Sequence, residues 1–517
     1  MRLCRRPIRA VVAIPPYCDF YSTPHRFSSL GAKVLADLLV GNGVSVSLLN
    51  FPISQKKWPA IPLPHDLAYL APCMHPGEFG KMSFFTRYHH FGPTLCVCAK
   101  AVVDRAPDIC FISCFAFSYS PEALELARHI KTLLPQLPVA LGGAGPSAHP
   151  LYFINHAAVD FVLIGEAEVS IGPFLKAFID GSIGYHDVPN LYRKQNTIST
   201  PSMALTRPEQ VTAIVSKTYE TGASIYFSTS LTRGCPKGCR FCSNFLTHGA
   251  TFRKAPLDKI QQAIRSLPLD EAMLKKRVFI NFEDDNLLLD PAYFFEVLTL
   301  FKRRFGSPLF LAENGIDYTL LSPALADRLV NEGLARFNVS IASISQAVLT
   351  KERRSLLLDR YQKAVRAIAR RAIPVITYFI CGFRDDTKES VSDTLAFLFN
   401  EPTLLGISLF YAVPGVGDFE DRNRFEGIPP ACCNGSSAYH WNGSLSTKTM
   451  ATAFRLSRYC NLVKLKKRSG QEEELLRKIR AEKKLFTLVK NKAGTSIAAV
   501  ENCDEELVRM FFEKCFY

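Results

Sequence analysis

The chain has 517 residues, 48% of them apolar and 21% charged, with a net charge of +15. That length gives room for two or three domains with cores of their own, and that composition excludes a disordered or fibrous chain. No apolar run approaches the roughly 20 residues that span a bilayer. Four arginines (Arg2, Arg5, Arg6 and Arg9) precede an apolar stretch at 10–14, but Pro15-Pro16 ends it too early for a signal peptide. A cytoplasmic location is therefore expected, with the sixteen cysteines as free thiols and metal ligands, not a disulfide framework. The positive charge gathers on two helix-like stretches, 351–371 and 464–492. Such runs read first as solvated helix faces, with a nucleic-acid partner as the lesser alternative.

Up to about residue 185, strands and helices alternate. Apolar strands are predicted at 10–14, 45–50, 109–115, 139–141 and 161–164, with a helix over 29–41. Ser120-Pro121-Glu122 reads as an N-cap with proline in the first turn of another helix. This order implies a parallel sheet with helices on both faces, an α/β, doubly wound, Rossmann-like domain over 1–185. Ligands of such sheets bind beyond the carboxyl ends of the strands. There the sequence places Ser113-Cys114-Phe115, Gly142-Gly143 and Gly165-Glu166. Glycines at those ends let a flat macrocycle or a nucleotide tail approach the backbone.

Together with Pro150 and the run from Val159 to Glu168, these segments resemble the cobalamin-binding domain. The resemblance implies cobalamin contacts from Ser113, Gly142, Gly143, Gly165 and Glu166. It also has departures. The D-x-H-x-x-G motif, whose histidine ligates cobalt from below, is absent, and Phe115 replaces the leucine of the Ser-x-Leu motif. Cobalamin would then bind without a protein ligand to its metal. A domain that has lost its cofactor and only supports its neighbour is the alternative.

Residues 186–223 read as a polar linker with a hairpin over 191–198. A second βα series follows, with strands predicted at 225–231, 278–282, 309–313, 336–341, 375–380 and 407–412. It makes a partial (β/α)6 barrel over 224–430. Directly after its first strand stands Arg-Gly-Cys235-Pro-Lys-Gly-Cys239-Arg-Phe241-Cys242. Three thiolates on one short loop suit three irons of a 4Fe–4S cube and leave the fourth iron open to a small molecule. A zinc knot completed by His248, or a chance grouping of cysteines, are the competing readings. The spacing C-x3-C-x2-C, with aromatic Phe241 before the last cysteine, resembles the radical S-adenosylmethionine (radical SAM) enzymes. Many of these carry a cobalamin-binding domain ahead of the barrel.

The resemblance implies roles at each strand end. Glu283, Asp284 and Asp285 stand where the family binds the cofactor's amino group, which needs acceptors and negative charge. Asn314 and Asp317 fit contacts to its methionine or ribose portions, and Ser340 a ribose contact. The stretch from Pro374 through Gly382 to Asp385 resembles the family's G-x-I-x-G-x-x-E element, with its first glycine and its glutamate replaced. Tyr411-Ala-Val-Pro414-Gly415 resembles the last barrel segment. Asp290 and Ser322 read only as helix caps, and Cys381 as an apolar filler. The acidic triplet has the alternative of an exposed turn.

The implied activity is reductive cleavage of S-adenosylmethionine to a 5′-deoxyadenosyl radical on a 4Fe–4S cluster. With cobalamin it serves methyl transfer, or a radical rearrangement or cyclisation, on a substrate the sequence does not specify. Rival readings are a methylthiotransferase, a hydrogen-abstracting enzyme without cobalamin, and a non-catalytic iron–sulfur or cofactor sensor. An electron donor such as flavodoxin or ferredoxin is the expected protein partner. Residues 431–517 read as a mainly helical extension, helical through 441–492, with no chemistry of its own to read.

Overall fold

The computed structural model describes residues 6–26, 29–194, 203–443, 445–492 and 494–516. Its first sheet has six strands in the spatial order Leu191–Arg193, Phe161–Leu163, Val139–Gly142, Ile109–Ser113, Arg9–Ile14, Ser45–Asn50. All neighbours are parallel except the edge strand Leu191–Arg193. The strand order reverses between Arg9–Ile14 and Ile109–Ser113, so the crevice that such sheets use for ligands opens at Pro15 and Cys114. Both faces of the central strands are covered, which is why they read as unbroken apolar runs. Val11, Ala13, Cys110 and Ile112 pack on helices Leu95–Val103 and Ser120–Leu133. Val12 and Phe111 pack on helices Leu30–Gly41 and Ala167–Ile179.

Two local expectations change here. Ser120 is the first residue of its helix and makes no side-chain cap. The hairpin expected over 191–198 is replaced, in its first half, by pairing of Leu191–Arg193 with Phe161–Leu163. Residues 195–198 of that expectation lie outside the described residues.

Six parallel strands follow in chain order: Ser224–Ser230, Arg277–Phe282, Leu309–Leu311, Phe337–Ala342, Val375–Cys381 and Leu404–Leu409. A short strand, Ile316–Asp317, and a bridge from Phe310 to Leu334 join the first three to the last three. The barrel sheet also has an antiparallel strand, Ile214–Glu220, on the outer edge of Ser224–Ser230, inside the stretch read as linker. Its sequence, Ile-Val-Ser-Lys-Thr-Tyr-Glu, is rich in β-branched and aromatic residues, the composition that favours a strand. The basic stretch 351–371 is not one helix. It breaks between Gln346–Lys351 and Leu358–Arg370. The last strand ends at Leu409, so Tyr411 lies in the loop beyond it.

The C-terminal part has helices Thr447–Lys464, Gly470–Glu482 and Glu505–Phe516. Helix does not run through to 492, because Phe486–Asn491 is a strand paired with Gly494–Ala499 and with Glu78–Phe79. The side chains of these helices share one apolar core with the barrel and with Leu67, Leu70, Met82 and Phe84 of the N-terminal part. Asn461 closes the open edge of the barrel, its amide bonding both Leu405 N–H (2.7 Å) and Leu405 C=O (2.8 Å) as a next strand would. Among the described residues, no helix is long and apolar enough to cross a membrane.

Candidate active site at the barrel mouth

The cysteine loop leaves the first barrel strand through Gly234. This residue sits at φ 79°, and a Cβ there would meet Thr251 O at 2.2 Å, so only glycine fits. Cys235, Cys239 and Cys242 are all partly exposed, and Pro236, Lys237 and Gly238 face solvent. Donors point at two of the sulfurs: Asn286 Nδ2 lies 3.7 Å from Cys235 Sγ, and Arg354 Nη1 3.8 Å from Cys239 Sγ. Burial pushes the Cys242 thiol up to about 12 and the Cys239 thiol up as well, with Arg354 pulling Cys239 back. Iron binding displaces such protons. Partly open thiols with donors aimed at their sulfurs fit a cluster.

His248 does not turn to the cysteines. Its Nδ1 lies 2.9 Å from Asp285 Oδ2. Among the described residues, no three His, Cys, Asp or Glu side chains converge on a point where one metal ion could sit. His248 thus serves Asp285 in this structure and not the cysteine set.

The acidic triplet divides its labour. Asp284 is buried, and its Oδ1 accepts from Leu231 N–H (2.9 Å), Thr232 N–H (2.6 Å) and Thr232 Oγ (2.6 Å). It pins the end of the strand that launches the loop. Asp285 Oδ2 accepts from Gly234 N–H at 2.7 Å. Burial opposes ionisation of Asp285, but the His248 ring and the Gly234 N–H outweigh it and hold its carboxyl below the usual range. Glu283, like Asp285, is partly exposed at the strand end.

Asn314 is exposed at the tip of the next loop. Asp317 is nearly enclosed between the cysteine loop and the next strand. It bonds Thr319 N–H (3.0 Å) and Oγ (2.8 Å) and faces Lys237 (3.1 Å) and Arg354 (3.7 Å). Burial of Asp317 is outweighed by the Thr319 bonds and these cations, so its carboxyl is held low. Ser340 is partly exposed, and its carbonyl takes the second Arg354 amine at 3.2 Å. At the fifth strand, Asp386 and not Asp385 closes the turn. Its Oδ2 accepts Gly382 N–H (2.9 Å) and Phe383 N–H (3.0 Å), while Asp385 pairs with Lys351 at the surface. Phe241 packs against Phe383, with ring centroids 5.4 Å apart. A pocket opens beside it, lined by Arg240, Glu352, Arg384, Phe410, Tyr411 and Asn442.

At the strand ends of the first sheet, Ser113 and Gly142 are partly exposed. Gly143 adopts φ 115°, with room for a Cβ only 2.4 Å from Cys114 O. Gly165 N–H donates to Ser147 Oγ at 2.9 Å. Glu166 Oε2 forms a buried ion pair with Arg253 of the barrel. Three buried polar atoms here lack partners: Glu122 Oε2, His149 Nδ1 and Glu166 Oε1. Orphaned polar atoms beside a glycine turn at the switch point fit a large polar ligand such as cobalamin. From the barrel side, Asn434 and Ser436 close over Asp19, with bonds of 3.0 and 2.9 Å.

The two sets of strand ends adjoin. Helix Ala144–Ala148, which follows Gly142-Gly143, packs on helix Phe245–His248, which follows Cys242. Arg422 Nε donates to Ala148 O at 2.7 Å. Several of these groups have no sequence signal that points to a site. Arg354 lies inside an ordinary basic run, Glu122 reads only as part of a helix start, and His149 sits outside any motif.

A flavodoxin-like sheet joined to a partial barrel with three cysteines at its mouth defines a two-domain cofactor protein. The radical SAM superfamily matches residues 229–398, and the B12 binding domain matches residues 98–172. The chain thus matches a radical SAM domain and, ahead of it, a B12 binding domain. It is 28% identical over 199 residues to bacteriochlorophyllide d C-12(1)-methyltransferase of Chlorobaculum tepidum, covering 37% of this chain and 41% of that one. It is 24% identical over 321 residues to the cobalamin-dependent radical SAM methyltransferase TokK of Streptomyces tokunonensis, covering 58% and 46%. With hopanoid C-3 methylase of Methylococcus capsulatus it shares 22% over 328 residues, covering 60% and 61%. The chain thus spans less than two thirds of the length of these relatives. The radical SAM methyltransferase TsrM of Kitasatospora setae, solved with cobalamin and a [4Fe-4S] cluster, has the same fold. The TM-score is 0.57 at 16% identity, over 80% of this chain and 77% of that one.

Proposed function

We propose that the chain is a cobalamin-dependent radical SAM methyltransferase acting on a small molecule. The observation that carries this reading is the contact of Ala144–Ala148 with Phe245–His248, which sets the corrinoid-type strand ends beside the cysteine loop. Two cofactor sites that share a wall suit a reaction that uses both. Cys235, Cys239 and Cys242 would hold a 4Fe–4S cluster, Glu283 the amino group of S-adenosylmethionine, and the Ser113, Gly142 and Gly143 turns the corrinoid. When bound, these groups supply one-electron and methyl-transfer chemistry.

The chain's own residues prepare the site. Asp284 and Asp285 fix the cysteine loop through backbone N–H groups, so its shape does not depend on the ligand. Asp317 is held ionised between Lys237 and Arg354, ready to accept hydroxyl or ammonium donors. Phe241 and Phe383 make an apolar wall that excludes water beside the loop. Asn434 and Ser436, bonded to Asp19, tie the segment after the barrel to the short strand Tyr17–Asp19 that follows Arg9–Ile14. The relatives named as methyltransferases favour methyl transfer over rearrangement, and an external electron donor completes the cycle.

The test is anaerobic reconstitution with iron, sulfide and hydroxocobalamin. It is followed by assay of bound corrinoid, and of 5′-deoxyadenosine and S-adenosylhomocysteine formed after reduction. Bound corrinoid with turnover of S-adenosylmethionine is expected, and Cys239→Ala should lose the cluster. Full iron–sulfur content in that variant would sink the reading.

A further inference from the structure

We propose that Arg354 raises the reduction potential of the cluster held by Cys235, Cys239 and Cys242, acting as a positioning residue on the Cys239 sulfur. The inference rests on reading the cysteine loop as a cluster site. Arg354 Nη1 lies 3.8 Å from Cys239 Sγ, within reach of an N–H···S hydrogen bond. Nη2 donates to Ser340 O at 3.2 Å, which fixes the plane of the guanidinium. The side chain is only 12% exposed. The backbone holds it there. Glu352 O accepts Arg240 N–H of the cysteine loop at 3.1 Å, Arg353 turns through φ 53°, and Arg354 N–H returns to Leu349 O at 2.9 Å. A break between two helices, in a run that reads as a solvated basic face, thus delivers one arginine to one ligand sulfur.

The charges around it give the sign. Asp317 Oδ1 lies 3.7 Å from Nη2, and Asp317 Oδ2 lies 3.1 Å from Lys237 Nζ. Two cations share one carboxylate, so the Cys239 side of the loop carries a net positive charge. One-electron reduction makes a cluster more negative. A cation held out of water, and a hydrogen bond to a ligand sulfur, both stabilise that reduced form. Arginine suits the task better than lysine. Its charge is permanent, and its planar fork bonds Ser340 O with one amine while the other rests on sulfur. A guanidinium also suits the carboxylate of S-adenosylmethionine, so the two roles have to be separated by measuring without that ligand.

The experiment is an EPR-monitored redox titration of the reconstituted full chain without S-adenosylmethionine, after iron and sulfide analysis. Wild type, Arg354→Gln, Arg354→Lys and Asp317→Asn are compared. Arg354→Gln should titrate at lower potential, with the reduced-to-oxidised ratio at fixed poise falling about tenfold, equivalent to about 59 mV for a one-electron couple. Arg354→Lys should fall between, and Asp317→Asn should shift the other way. Full cluster content with an unchanged potential in Arg354→Gln overturns the proposal, including where S-adenosylmethionine binding alone weakens. If that variant fails to hold a cluster, unchanged potentials in both Arg354→Lys and Asp317→Asn overturn it. A wild-type chain that takes up no cluster overturns the cluster reading itself, a different result from any of these.

Discussion

Glu166 of the first sheet and Arg253 of the barrel form a buried ion pair 2.6 Å long, their side chains 2% and 3% exposed. The same carboxylate oxygen accepts Thr206 N–H at 2.8 Å, and Arg253 also donates to Thr206 O at 2.9 Å and to His248 O. One guanidinium therefore ties the cofactor-type sheet, the connector and the helix after the cluster loop into a single joint. Glu166 is read from the sequence as a cofactor contact. Its observed bonds join the strand ends of the first sheet to the barrel.

Breaking that pair should be costly. Replacing Arg253 with Met leaves a buried carboxylate uncompensated, a loss of about 3–5 kcal/mol. Replacing both Glu166 and Arg253 with Met should recover much of it, because no isolated charge then remains. Thermal unfolding of the single and double variants checks this. A single variant as stable as wild type would show that the joint has another anchor.

Asp284 gathers three donors from the end of the first barrel strand, so Asp284→Ala leaves two buried N–H groups unpaired, at about 1–3 kcal/mol each. The consequence is expected at the cluster before the fold, because the strand end released is the one that positions Gly234 and Cys235. Reconstituted Asp284→Ala should hold less iron per chain than wild type, while Asp284→Asn, which keeps one acceptor oxygen, should fall between. Iron and sulfide analysis beside far-ultraviolet circular dichroism separates loop loosening from unfolding.

The cysteine loop, both parallel sheets and the caps Asp290 and Ser322 are legible in the sequence, because each is a local pattern. The caps bond Tyr293 N–H and Leu325 N–H at 3.0 and 3.1 Å. What the sequence hides is set by tertiary contact. Arg354 looks like its basic neighbours until the chain folds it onto Cys239. Asp386 and Asp385 are interchangeable in spacing, and only the Gly382 turn selects the first. The strand Phe486–Asn491 follows a charged helix; it pairs along its length with Gly494–Ala499, and its Leu488 and Val489 pair with Glu78–Phe79, about four hundred positions away. Within the acidic triplet, the pattern gives no means of telling the two carboxylates that bond the loop backbone from Glu283.

Asn461 acts as a one-residue strand on the open edge of the barrel. Asn461→Ala removes both bonds and leaves the Leu405 N–H and C=O to find water at a largely buried edge, about 1–3 kcal/mol in stability. Hydrogen exchange should report it locally, with the Leu405 amide losing protection while amides of Ile109–Ser113 keep theirs. Equal loss in both sheets would mean that the effect is global and that Asn461 does not guard the edge.

Glu122 gives a pH dependence whose sign follows from its surroundings. Burial pushes its carboxyl from an ordinary 4.5 up to about 7, against the pull of its own N–H and that of Cys18, with Asp19 adding to the rise. The folded chain therefore keeps this proton over a range in which the unfolded chain has lost it. Between about pH 4.5 and pH 7 the folded state binds more protons, so this group's contribution to stability falls as the pH rises, then levels off above pH 7. The full effect is about 3 kcal/mol at most. Glu122→Gln carries no charge at any pH and should remove this slope. It should be more stable than wild type at pH 8 and close to it at pH 5, measured by denaturant unfolding without corrinoid. A variant equally affected at both pH values would place the carboxyl in a wetter setting than its buried, unpartnered Oε2 describes.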